Sequence, residues 1–163
     1  MKEITAKEIK DNIIKLIADE WMLVTAGDQN GYNMMTASWG GMGEMWGKDV
    51  AVTVIRPQRY TYEFIEKSDL FTLSFYGDKK DIHAVCGKKS GRDINKTAEA
   101  GLTPVYIDGT VTFDEARLTV ICKKLYASDL KADGFVDEGC LKWYDNDFHR
   151  MYVGEIVKVL VKE

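Results

Sequence analysis

The chain has 163 residues, 45% of them hydrophobic, which suits one compact domain with a genuine core spanning residues 1–163. Its 22 lysines and arginines stand against 26 aspartates and glutamates, a formal net charge of −4, so overall charge cannot hold nucleic acid. Abundant aromatic and β-branched residues exclude disorder, and no apolar run approaches the length that spans a bilayer.

Thr5-Ala6-Lys7-Glu8 has the capping-box pattern, and Ile9, Ile13, Leu16 and Ile17 follow at helical spacing, which predicts one amphipathic helix within residues 1–20. Its charges leave no apolar segment for a signal peptide, so the expectation is a cytoplasmic protein without membrane attachment. Residues 21–25 and 32–38 then read as a hairpin around Asn30-Gly31. The glycine-rich stretch 39–47 reads as a connection, and residues 50–56 as a strand ended by Pro57. A short helix over 59–67 and a strand over 70–76 follow. Residues 78–97 form a polar helical insertion, with a further helix over 96–100 stopped by Gly101. Strands are expected at 105–107, 110–113, 118–127 and 151–161, with a loop-rich excursion over 131–149. Strands joined by turns, with helices at the periphery, indicate a mainly β antiparallel barrel.

Cys86, Cys122 and Cys140 are odd in number and lack a CxxC pair, which predicts buried free thiols and neither a disulfide framework nor a metal site. Gly40, Gly41, Gly43 and Gly47 do not match the phosphate-loop spacings. In that stretch Met42, Met45 and Trp46 suggest a wall for a flat ligand or for a partner subunit. Strand alternation puts Thr36 and Ser38 on one face, either a solvated surface or a polar edge that reads a heterocycle. Arg56, Arg59 and Thr61 lie where a strand meets a helix N-terminus, a candidate phosphate site; the plainer alternative is arginines paired with Glu63 or Glu66. Lys88, Lys89, Arg92 and Lys96 make the most basic local run, which either closes over an anion or is a solvated face. His149, just before the final strand, is a better candidate for chemistry than His83. No nucleophile-histidine-acid set can be assembled, so hydrolysis is not indicated.

Several of these blocks, taken in order, resemble one family. They are Asn33-Met34-Met35-Thr36-Ala37-Ser38-Trp39-Gly40-Gly41, Ile55-Arg56-Pro57-Gln58-Arg59-Tyr60-Thr61-Tyr62, Phe71-Thr72-Leu73-Ser74-Phe75, Ser90-Gly91-Arg92-Asp93 with Lys96, and His149 with Val153-Gly154-Glu155-Ile156. The pattern is similar to that of the flavin reductase-like, FMN-binding split-barrel family. The resemblance implies a six-stranded antiparallel split barrel and a homodimer with FMN near the subunit interface. It implies that Met35, Thr36, Ala37, Ser38 and Trp39 face the isoalloxazine, continued by Ile55, Arg56 and Pro57. Arg59 and Thr61 would take the phosphate end, and Ser90, Gly91 and Lys96 would form a second phosphate or ribityl clamp. His149 would sit beside the flavin or a nicotinamide as the catalytic group. The implied activity is hydride transfer from NADH or NADPH to flavin; the alternatives are a flavoredoxin-like electron carrier serving a redox protein partner, or a flavin-binding protein without turnover.

Overall fold

The computed structural model describes residues 1–163. In chain order the strands are β1 (Lys2–Ile4), β2 (Met22–Asp28), β3 (Gly31–Ala37), β4 (Gly40–Met45), β5 (Lys48–Ile55), β6 (Leu70–Phe75), β7 (Pro104–Ile107), β8 (Thr110–Phe113), β9 (Leu118–Asp129) and β10 (Arg150–Val161). The helices are α1 (Ile13–Lys15), α2 (Tyr60–Lys67), α3 (Lys80–Lys88) and α4 (Lys96–Glu99). None is long and apolar enough to cross a membrane.

Seven strands run in the order β3-β2-β6-β9-β10-β5-β4, all antiparallel, and β1 adds to β10 beyond the end of β5. Inward side chains from β2, β3, β5, β6, β9 and β10 meet in one cluster of 17 buried residues that includes Val24, Met35, Ile55, Phe71, Leu73, Val120 and Tyr152. A sheet whose strands share a single interior in this way is curled into a barrel, split between β3 and β4. Outward residues Leu23 and Met34 pack under α3 and the β7–β8 hairpin with Ile82, Cys86, Val111 and Phe113, forming a second, smaller core.

The mainly β split barrel agrees with expectation, although the sheet has eight strands instead of six. The additions come from two segments read differently in the sequence. The glycine-rich stretch is strand β4, because Trp46 and Gly47, with φ of 56° and 70°, make a two-residue turn that folds it back on β5. The expected N-terminal helix is broken. Glu8 caps Thr5 through its backbone N (2.7 Å) and its hydroxyl (2.8 Å), but only a 3-10 turn (Ala6–Glu8) follows. Asn12 then starts α1, which continues as a wide turn over Leu16–Glu20. The apolar spacing is still satisfied, since Leu16 and Ile17 are buried and Ile9 and Ile13 pack on the barrel core. Of the cysteines, Cys86 and Cys122 are buried free thiols, whereas Cys140 is exposed.

Gly154 lies at a register shift between β10 and β9 and leaves no room for a side chain. A Cβ there would come within 2.8 Å of Cys122 Cβ and of the Phe71 ring. Gly154→Ala is expected to cost about 1–3 kcal/mol by overpacking, read as a lower urea midpoint at unchanged m.

Candidate functional site

Strand β3 is the last strand of the sheet, so the backbone groups along its outer edge have no neighbouring strand to pair with. Where this edge runs out, a cavity of about 500 Å³ opens. It is lined by Met35, Thr36, Ala37, Ser38 and Trp39 from the end of β3 and just beyond it, by Val54, Arg56 and Arg59 from the end of β5 and the turn after it, and by Trp21, His83, Gly87, Lys88, Trp143 and His149. The volume and the aromatic lining are those of a small-molecule site for a flat ligand. Gly87 lets α3 approach the edge strand, since a Cβ there would stand 3.3 Å from Thr36 Cβ.

Two histidines line this cavity, and each has Nδ1 engaged by a hydroxyl. Thr36 Oγ1 lies 2.9 Å from His83 Nδ1, and Tyr144 Oη lies 2.7 Å from His149 Nδ1. Burial pushes both imidazoles down to about 4, with nearby Lys80 adding to the effect at His83 and Arg56 at His149. Both are therefore neutral at neutral pH, and His149 serves as a hydrogen-bonding group and not as a resident cation. Trp39 lies 5.2 Å from the His149 ring and 5.4 Å from Trp143, so the aromatic wall is continuous.

Arg56 is occupied. Its Nη1 pairs with Asp147 Oδ2 at 2.6 Å, its Nη2 donates to Trp143 O at 2.9 Å, and the guanidinium covers the Tyr144 ring at 4.9 Å. It fastens the excursion before β10 to the end of β5, and so brings Trp143 and His149 to the cavity. The Asp145 backbone N–H, helped by the Gln58 and Arg56 contacts, holds the Asp147 carboxyl down to about 2.

Next to this cavity lies a recess of about 260 Å³, and the two share Arg59, Gly87 and Lys88. Its other walls are Gln58, Tyr60, Thr61, Lys89, Ser90 and Lys96, so the lining as a whole holds four cations, Arg59, Lys88, Lys89 and Lys96, and no acid. Arg59 has one distant partner, Cys86 O at 3.4 Å, and burial lowers its affinity for the proton. Lys96 is buried, donates to Met34 O (2.8 Å) and Cys86 O (3.0 Å), and is pushed down to about 8 by burial and by Arg59. Lys89 is tied to Glu99 at 2.6 Å. The glutamates offered as plain partners for the arginines are engaged elsewhere, Glu63 with Arg92 (2.6 Å) and Glu66 with Arg150 (2.8 Å).

Most of the expected residues converge. Met35, Thr36, Ala37, Ser38, Trp39, Arg56, Arg59 and His149 line the main cavity; Arg59, Thr61, Ser90 and Lys96 line the recess. Thr61 is buried and its hydroxyl accepts from Asn33 Nδ2 at 2.8 Å. Gly91 packs on Asn33, whose Oδ1 would stand 2.0 Å from an added Cβ, and opens instead onto a neighbouring cleft that it shares with Lys96. Ile55 and Pro57 are corrections. Alternation along β5 sends Val54 to the cavity and Ile55 into the barrel core, while Pro57 is exposed and borders neither space. His83, ranked below His149, and Trp21, Val54, Gly87 and Trp143 join the site. For His83 a signal existed, because Ile82, His83 and Cys86 fall on one buried face of α3.

The flavin reductase like domain family matches residues 15–163. No curated protein sequence matches the chain. Among solved structures, the flavoredoxin of Desulfovibrio vulgaris is similar at 22% identity and TM-score 0.69, over 98% of this chain and 78% of that one. An FMN-binding domain of a flavin reductases-like enzyme from Shewanella baltica aligns at 16% identity and TM-score 0.67, over 97% and 75%. The FMN-binding protein of Thermus thermophilus with bound 1-cyclohex-2-enone aligns at 20% and 0.66, over 99% and 80%. At these identities the structures share the barrel. With the family matched over nearly its whole length, the chain belongs to the flavin reductase-like domain family.

Proposed function

We propose that this protein binds FMN, with the isoalloxazine in the aromatic cavity and the phosphate in the basic recess, and that it passes hydride from NADH or NADPH to the flavin. The observation that carries the reading is the shared wall of Arg59, Gly87 and Lys88, which joins a flat-walled space to an acid-free cluster of cations. When bound, FMN would supply the electron chemistry, and the chain's own residues would bind and orient it. The free edge of β3 offers main-chain donors and acceptors to a heterocycle, Ser38 adds a hydroxyl, and Trp39, Trp21 and Trp143 exclude water from its faces. Arg59, Lys88, Lys96 and Ser90 would meet the phosphate.

The carrier reading draws on the rim, where Trp143 is 57% and Trp39 38% exposed beside the cavity, a surface suited to a redox protein partner. Visible spectra of the purified protein before and after desalting, then anaerobic addition of NADH and of NADPH, separate these readings. Steady nicotinamide oxidation with free flavin supports the reductase; retained FMN reduced only through a protein donor supports the carrier; retained FMN that neither reduces indicates a binding protein without turnover. A chain that binds neither FMN nor riboflavin overturns all three.

We further propose a homodimer. Met42 packs partly on the core, but Met45 (42% exposed) and Trp46 (58% exposed) project from the β4–β5 turn, with Trp46 6.3 Å from exposed Tyr126. Symmetric pairing is the common way to cover such a patch. Light scattering at micromolar concentration with FMN present should give twice the chain mass, and a monomer would sink this proposal.

A further inference from the structure

Tyr144 and His149 form a pair whose hydrogen bond favours one arrangement, because a phenol is a better hydrogen-bond donor than acceptor and the bare nitrogen of a neutral imidazole is a good acceptor. The phenol oxygen lies 2.7 Å from Nδ1, and this is the only hydrogen bond in the chain that Tyr144 Oη makes. If Nδ1 carried the proton, the hydrogen without an acceptor in the chain would be the phenol's; if the phenol donates, it is the ring proton on Nε2. With the phenol donating, Nδ1 is the bare nitrogen and Nε2 carries the ring proton. Nε2 has no partner in the chain, and the imidazole that bears it lines the large cavity beside Trp39.

The phenol is itself held from several sides. Phe148 lies 4.8 Å and Phe135 5.8 Å from its ring, and the Arg56 guanidinium covers it at 4.9 Å. Arg56 is anchored in turn by Asp147 and by the Trp143 carbonyl, and Gln58 Nε2 reinforces Asp147 at 3.1 Å. The end of β5 thereby fixes Tyr144, and Tyr144 fixes the ring of His149. His83, which also lines the cavity, differs in that its Nε2 is buried without a partner.

We propose that Tyr144 is a positioning residue that holds His149 as the Nε2–H tautomer, so that the cavity meets a neutral, pre-oriented donor suited to a carbonyl or an electron-rich ring nitrogen of a flat heterocycle. A donor already in place needs no reorganisation when charge develops opposite it, so it favours the charged product over the resting ligand. The proposal concerns the same site as the flavin reading and rests on it only for the functional consequence.

The test uses 15N-labelled protein without flavin and long-range proton–nitrogen correlation of its imidazoles. The chain has just two histidines, so His83→Gln assigns both rings. At pH 7 the His149 ring should show Nε2–H and a bare Nδ1. In Tyr144→Phe, which keeps the ring and loses only the hydroxyl, the pattern should move toward a mixture of tautomers while the His83 signals stay in place. A proton on Nδ1 in the unaltered protein overturns the proposal, as does an unchanged tautomer in Tyr144→Phe. In FMN-loaded protein, Tyr144→Phe should leave FMN affinity within about twofold and slow reduction roughly five- to tenfold, the loss expected when one oriented hydrogen bond is blurred. A shifted tautomer with an unchanged reduction rate overturns the donor role. Failure of the chain to bind FMN would leave the tautomer measurement intact and sink only the flavin reading.

Discussion

Arg59→Ala should weaken FMN binding by about one to two decades while leaving riboflavin almost unaffected, because a charge-assisted bond to phosphate is worth roughly 1.5–3 kcal/mol. The reason for choosing this arginine is its lack of other work. Arg56 is spent on Asp147 and the Trp143 carbonyl, and Arg92 on Glu63 with its guanidinium 4.6 Å over the Tyr60 ring. Arg59 sits at the start of α2 in a recess without acids, half-buried, with only the Cys86 carbonyl at 3.4 Å. A cation taken partly out of water and left without a counter-charge is costly, and a bound anion offsets that cost. Paired titrations of FMN and riboflavin, followed by the quenching of flavin fluorescence, read the difference directly. If both ligands weaken equally, Arg59 touches the ring system and the phosphate lies elsewhere.

The parts of the site visible in the sequence were those that a local rule can see. Alternation placed Thr36 and Ser38 on one side of β3, and the strand-to-helix junction placed Arg59 at the start of α2, and both line the observed spaces. The same alternation, applied one residue further along β5, would have exchanged Ile55 for Val54. Trp143 lies in the excursion without periodicity, and it reaches the cavity because Arg56, 87 positions earlier, donates to its carbonyl. No local pattern reports a contact of that range. In the N-terminal segment the apolar spacing was real but did not require a continuous helix. The exposed edge of β10 took Lys2–Ile4 as β1, and separate turns then delivered Leu16 and Ile17 to the core. The split barrel itself was legible because its long strands, β9 and β10, are rich in β-branched and aromatic residues, and they pair with each other over most of their length.

Acidification of the flavin-free protein should lower its stability in a window set by the two histidines. In the folded chain both titrate near 4, whereas an unfolded imidazole titrates near 6.5. Between these values the unfolded chain binds more protons than the folded one, so stability rises with pH there. Stability is thus full above about pH 6.5, declines as pH falls through the window, and levels off with respect to these groups below about 4. The decline is on the order of a few kcal/mol for the pair. Ordinary carboxylates titrate near 4, so the histidines dominate the decline above about pH 5 and the comparison with a histidine variant separates their share below it. His83 should give the larger share, since its ring is enclosed by Trp21 at 5.7 Å and Tyr76 at 6.0 Å and its Nε2 is buried, whereas His149 opens on the cavity. His83→Gln removes the titrating ring and keeps a polar group beside Thr36. Urea unfolding at pH 7.0, 6.0, 5.0 and 4.5 should therefore show a shallower decline in this variant than in the unaltered chain. Identical slopes would mean that His83 accepts a proton in the folded state as readily as in water, and that Trp21 and Tyr76 do not shield it.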